Sequence, residues 1–199
     1  MTINVKLNRK LNIVLEIETS RGRGHVHSVP IARIVFEDNF KVLSRTFAAF
    51  YQNYGGLGPY AGPRVAKLLL MEQAEALDET DKIKQTLIPE IERLTNVFIP
   101  GERGWESIPY QVARNRNLID EQTAAEVENA LVYFTCATWM NLQMEMQVAF
   151  HGLIQGWRAV STSSNATEYM NSLPTLTPAE TTGEKPTSTT AAAPSSIPT

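Results

Sequence analysis

The 199-residue chain carries 18 Lys and Arg against 21 Asp and Glu, for a formal charge of −3, with 43% hydrophobic and 20% charged residues. This is a globular composition without a broad basic field, and it excludes tight sequence-independent binding to DNA or to an anionic membrane. The composition changes abruptly after about residue 160, so the length is read as one core followed by an extension and a tail.

Leu11, Ile13, Leu15 and Ile17 alternate with Asn12, Val14, Glu16 and Glu18, the period of a half-buried strand. Turn residues over 20–24 and a return over 25–29 predict a β-hairpin, which is marginal alone and must pack on helices or join another sheet. Arg9, Lys10 and the Arg21-Gly22-Arg23-Gly24 turn read as solvated loops. Pro30 suits a first helical turn, and Phe36, Phe40, Leu43, Phe47, Phe50 and Tyr51 follow at helical spacing. The helix breaks at Gly55-Gly56-Leu57-Gly58-Pro59, and Gly62-Pro63 restarts one at Arg64 carrying Val65, Leu68, Leu69, Leu70, Ala74 and Leu77.

Asp78-Glu79-Thr80-Asp81 caps a third predicted helix with the stripe Ile83, Leu87, Ile91, Leu94 and Phe98, bent at Pro89. Residues 101–109 read as a loop around Trp105. Asp120-Glu121-Gln122-Thr123 caps a long helix running towards Val160, with Thr123 and Glu126 matching a capping box. Residues 131–140 are apolar nearly all round, which predicts a central helix. The sum is a mainly α fold: a helical bundle with an N-terminal β-hairpin (α+β) at about 5–29 in a domain over 1–160. An Asn/Thr/Ser-rich extension follows over 161–176, and a flexible, disordered Thr/Ser/Pro/Ala tail over 177–199.

Chemistry-bearing groups are sparse. Cys136 is the only cysteine, so no internal disulfide forms and a reducing compartment suits the chain. Its apolar surroundings fit a small packed hydrophobe. His151 lies fifteen residues further along the same predicted helix, about 22 Å away at 1.5 Å per residue, and cannot serve it as a base. The glycine-rich stretch over 55–64 lacks the Gly-Lys-Ser/Thr ending of a phosphate loop and reads as an inter-helix turn. His25 and His27 point the same way on a strand, but two ligands do not make a metal site, so they read as surface histidines of the hairpin. No cofactor, metal or catalytic residue is expected, and no enzyme, since no nucleophile, base and orienting group assemble. No apolar run approaches the ~18 residues of a spanning helix, and no apolar leader segment opens the chain. The expected location is the cytosol of the cell that makes it.

Met140, Met144 and Met146 are three of six methionines, framed by Asn141, Gln143, Glu145 and Gln147, with Met140 and Met144 on one helix face. Methionine adapts to irregular partners, so the cluster fits a surface that holds apolar helices; the alternative is that it fills the core.

One further stretch is Asn165-Ala166-Thr167-Glu168-Tyr169-Met170-Asn171-Ser172-Leu173-Pro174-Thr175, where Asn, Thr and Ser suit turn capping and Leu173-Pro174 suits one contact back on the body. It closes an ordered series: Val26-His27-Ser28-Val29-Pro30-Ile31, then Phe36 and Phe47-Ala48-Ala49, and Ala61-Gly62-Pro63-Arg64-Val65-Ala66. Gly104-Trp105-Glu106 with Ile108-Pro109 comes next, followed by Leu118-Ile119-Asp120-Glu121 and Ala125-Glu126-Val127-Glu128-Asn129-Ala130. Over most of residues 5–176 the chain resembles the tail assembly chaperones of long-tailed, siphovirus-like bacteriophages. The resemblance implies a protein that binds and solubilises the helical tape measure protein, helps recruit tail tube subunits, and leaves before the tail is complete. It implies residence in the host cytoplasm, absence from the virion, and a longer form made by ribosomal frameshifting. Self-association is compatible with it. The competing expectation is a permanent virion component at the neck, tail end or tube, adding strands between copies at the hairpin edge.

Overall fold

A computed structural model describes residues 11–54, 57–140, 151, 153–155 and 158–176. Strands β1 (Asn12–Thr19) and β2 (Gly22–Ser28) make the expected hairpin. They are joined by β3 (Thr95–Gly101), β4 (Gly104–Pro109) and β5 (Val160–Thr162) in one antiparallel sheet of order β4-β3-β2-β1-β5. The fold is therefore α+β around a five-stranded sheet, and the expectation of a helical bundle bearing a lone hairpin is corrected. Three misread segments account for the difference. Leu94 and Phe98 stand four apart like a helical stripe, yet Val97 and Ile99 alternate with Asn96, Phe98 and Pro100 and form β3. The predicted loop around Trp105 is β4, and the long final helix does not run on to Val160, which lies in β5.

Both hairpins turn in the same way. Ser20-Arg21 and Glu102-Arg103 fill the tips, and Gly22 and Gly104 resume the ladder at φ +103° and +120°, where a side chain is strained. Arg21 reaches across to Glu106 at 3.0 Å.

Helices α1 (Arg33–Asp38) and α2 (Phe40–Tyr54) replace the single helix expected after Pro30. Between them Asn39 leaves helical geometry, and its side-chain amide donates to the Val35 carbonyl at 2.8 Å. Helix α3 (Gly58–Glu75) begins six residues before the expected restart at Arg64 and absorbs Pro63 at the cost of one backbone bond. Helix α4 (Thr80–Lys82) continues through a π-helical turn (Ile83–Leu87) into α5 (Ile88–Arg93), so the chain stays helical past Pro89 as expected; Leu94 then leaves the helix and β3 starts. Helix α6 (Tyr110–Asn115) had no sequence signal in the reading above. Helix α7 (Glu121–Met140) is buried nearly all round from Ala130 to Ala137, as expected of a central helix. Its cap is Asp120, whose carboxylate accepts from the Thr123 amide at 2.8 Å and the Thr123 hydroxyl at 2.9 Å, in place of a Thr123–Glu126 box. Helix α8 (Ala166–Ser172) closes the described chain.

The core lies between one face of the sheet and the helices. Ile13, Leu15, Ile17, Val26, Val97, Ile99 and Ile108 project from that face towards Phe50, Leu69, Leu70, Leu131, Tyr133 and Phe134. Helix α3 packs on both α2 and α7, and α7 reaches β1. A Cβ on Gly62 would stand 2.6 Å from Tyr133 Cε2, so the bare backbone sets how closely α3 approaches α7. Among the described residues no helix is long and apolar enough to cross a membrane. The expected tail over 177–199 and the Arg9-Lys10 cluster lie outside the described residues.

Candidate functional site

The period of two sends Ile13, Leu15 and Ile17 inward and Asn12, Val14 and Glu16 to the opposite face. The register sets Val14 opposite His27 and Glu16 opposite His25, then His25 opposite Phe98, which in turn faces Ser107. Val14, His27 and Phe98 are nevertheless fully buried, and Val14 and Phe98 stand outside the main core cluster. A strap over 158–176 covers them. It enters as β5 on the β1 edge, pairing Asn12 with Thr162 and Val14 with Val160, and then crosses the outer face as α8.

The strap is built from the motif singled out by sequence. Asn165 Oδ1 accepts from the Glu168 amide at 2.9 Å, and Glu168 Oε2 accepts from the Asn165 amide at 3.0 Å, a complete capping box. Ala166, Thr167 and Ser172 lie within α8, the Ser172 hydroxyl donating to the Tyr169 carbonyl at 2.7 Å. Tyr169 is the side chain turned onto the sheet, 6.1 Å between centroids from each of Phe98, His25 and His27. Leu173 is half-buried and Thr175 exposed, and the Pro174 carbonyl accepts from Trp105 Nε1 at 2.9 Å, so the expected contact back on the body is polar as well as apolar. Ser164 is the central anchor: its carbonyl accepts from Asn12 Nδ2 at 2.8 Å and from His27 Nε2 at 3.1 Å.

The two histidines do share a face, but they are not surface residues. His27 is wholly buried and His25 half-buried, tilted against Trp105 at 5.4 Å. Burial lowers the pKa of both below the usual histidine value; Glu16 pulls His25 back up and Arg23 pushes it down, while the carbonyls of Ser164 and His27 itself partly offset the effect at His27. Burial and the nearby Glu16 raise Tyr169. Among the described residues no three His, Cys, Asp or Glu side chains gather as metal ligands.

A second polar cluster sits between α3, α6 and α7. The nearly buried Glu128 pairs with Lys67 and with Arg114, and the Tyr110 hydroxyl donates towards it at 3.4 Å and to the Ala124 carbonyl at 3.2 Å. Burial first and the Glu128 charge second raise the Tyr110 pKa strongly. Lys67, Tyr110 and Glu128, with Glu92, Ile88 and Leu131, line a cavity of about 10 Å³, room for one water and no substrate. The cluster ties helices together. Sequence reading missed it because Lys67 and Glu128 look like ordinary helix-surface charges until the fold sets α3 beside α7.

The third feature is apolar and exposed. Phe36 stacks on Trp139 at 4.9 Å with 11° between the rings, and Phe40 meets Phe36 edge-on at 5.7 Å. Phe40 is 50% exposed and Ile34 63%. Met140, the member of the predicted methionine face that follows Trp139 in the chain, is half-buried. Met144 and Met146 lie outside the described residues. Cys136 is buried as expected, with its thiol pushed up to about 12 by desolvation.

No family model, no curated protein and no solved structure matches this chain.

Proposed function

We propose that the chain is a phage tail assembly chaperone that binds the tape measure protein, keeps it soluble, helps recruit tail tube subunits and leaves before the tail is complete. The observation that carries this reading is the Phe36–Trp139 stack with the half-exposed Phe40 against it, beside the exposed Ile34 of the same short helix as Phe36 and the half-buried Met140 that follows Trp139. Aromatic rings stacked on one another keep their shape while Met140 adapts, which suits a groove for the apolar face of a helix of variable sequence. A long apolar helix aggregates when free, and a partner that masks it in equilibrium suppresses that loss. The ordered series of sequence segments supports the same reading, and with it residence in the host cytoplasm and a longer frameshifted product. A permanent ring component adding strands at the hairpin edge has less support, because β5 occupies that edge beside Asn12–Val14.

The test is co-expression with the tape measure protein. Phe40→Glu and Met140→Glu should leave the circular dichroism spectrum unchanged and drive the tape measure protein into the pellet. Folded variants that still hold it in solution would sink the assignment of this surface. Peptide mass spectrometry of lysate against purified virions tests the role itself: departure requires abundance in lysate and depletion from virions, and stoichiometric retention makes it a structural component.

A further inference from the structure

The strap is held to the sheet by few contacts for its length. None of the residues of α8 is buried, and β5 pairs at only three positions, yet beneath it lie three wholly buried side chains, Val14, His27 and Phe98. His27 is at the centre of the attachment. The Ser164 carbonyl opposite its Nε2 offers only lone pairs, so the neutral ring carries its proton on Nε2 and donates it there. The other nitrogen, Nδ1, is buried and has no hydrogen-bond partner among the described residues. A second proton on this ring would face only the carbonyl of His27 itself, which offsets the burial in part, and would put a buried positive charge beside Phe98, whose ring lies 6.0 Å away.

We propose that β5 and α8 form a detachable cover over the outer face of the sheet, and that His27 is its proton-operated latch, closed while the ring is neutral and released when the ring is protonated.

The groups around the ring set the direction. From β1 come Asn12, which shares the Ser164 carbonyl, and Glu16; from β2 His25 and Arg23; from β3 Asn96 and Phe98; from β4 Trp105; from the strap Tyr169, Glu168 and Arg158. Of the two β1 carboxylates on this face, Glu18 is exposed at the hairpin end opposite Arg23, and Glu16 is already paired with Arg23 at 3.2 Å and Arg158 at 3.1 Å. Glu168 is engaged in the capping box. His27 has no carboxylate contact within the cluster. The latch therefore holds a ring whose pKa is lower in the closed form than the 6.5 it regains on release. Closure is at full strength above pH 6.5. It weakens as pH falls from 6.5 towards the closed-form pKa, by up to about tenfold in the closed-to-open ratio per pH unit for each such histidine. His25 adds to the same trend, reduced by Glu16. Release uncovers Val14, Phe98 and Trp105 together with the edge of β1.

Amide hydrogen exchange on the full chain, corrected for the intrinsic pH dependence of exchange, tests the latch. Between pH 7.0 and 5.5 the protection of residues 160–172 should fall by roughly threefold to tenfold while residues 127–137 of α7 keep theirs. His27→Gln, which keeps a side-chain N–H for Ser164 and cannot gain a second proton, should remove most of that fall. The ring itself, followed by NMR in the unaltered chain, should titrate below 6.5. Unchanged strap protection, an equal loss in α7, an equal fall in a folded His27→Gln variant, or a His27 titration at or above 6.5 would each overturn the latch.

Discussion

Tyr169 lies over Phe98 with 6.1 Å between ring centroids and 22° between planes, and this one pair joins the last helix to the third strand across the sheet's outer face. Apart from Tyr169, which also meets His25 and His27, polar contacts dominate the attachment of the strap: the β5 ladder, two side chains on the Ser164 carbonyl, one on that of Pro174, and Arg158 on Glu16. Tyr169→Ala should therefore loosen the strap by about 1 kcal/mol with little change in global Tm, while Tyr169→Phe keeps the stack and stays near wild type. Exchange protection over 166–172 against that of α7 separates the two effects. Asn165→Ala, which opens the capping box, should cost the same segment about 1 kcal/mol.

Gly62 is the tightest point between α3 and α7. An alanine there brings a methyl carbon within 2.6 Å of Tyr133 Cε2 and 2.8 Å of Cδ2, and both partners belong to buried helices that cannot retreat freely. Gly62→Ala should destabilise the fold by about 2 kcal/mol and lower Tm by about 5 °C, despite the better helix propensity of alanine. A variant as stable as the parent in urea unfolding would mean that α3 shifts at no cost.

Glu128 and Tyr110 predict an asymmetric pair of results. Tyr110→Phe removes a hydroxyl whose two hydrogen bonds are both long, so it should cost at most about 1 kcal/mol. Glu128→Ala strips Lys67 and Arg114 of their shared partner, but both cations are more than a third exposed and recover water, which holds the loss to about 1–2 kcal/mol instead of the full cost of a stranded buried charge. Chemical denaturation of the two variants, with an unchanged m-value, checks the order.

Cys136 offers a probe of global opening. With its thiol buried and pushed up to about 12, it should not react with a thiol reagent at pH 8 in the folded chain and should react fully in denaturant. Fast labelling under native conditions would show that α7 is not the buried centre it is taken to be.

Elements with a strong single period were legible in the sequence: the β1 alternation, the apolar heart of α7, and a helix that survives Pro89. The capping by Asn165 was legible as turn capping because it is local, whereas the reciprocal bond from Glu168 and the helix that the pair opens were not. What escaped depends on partners distant in sequence. Phe98 fits a helical stripe when only its neighbours are considered and a strand once β2 is beside it. His25 and His27 look like surface residues until the strap, 137 residues on, lies over them. The network around Glu128 joins residues 14 and 61 positions apart, and no local pattern announces it.

The pairing of Asn12 with Thr162 brings together parts of the chain that are synthesised far apart in time. While the ribosome is still making residues between them, the outer edge of β1 has no neighbour of its own, and the faces of Val14 and Phe98 stay open to water. Completion of the sheet waits for residues 160–162 to emerge, and the contact between Asn12 and Ser164, 152 residues apart, is among the costliest in loop closure. The nascent protein thus passes through a helical body with an unfinished sheet, and the arrival of residues 158–176 ends that exposure.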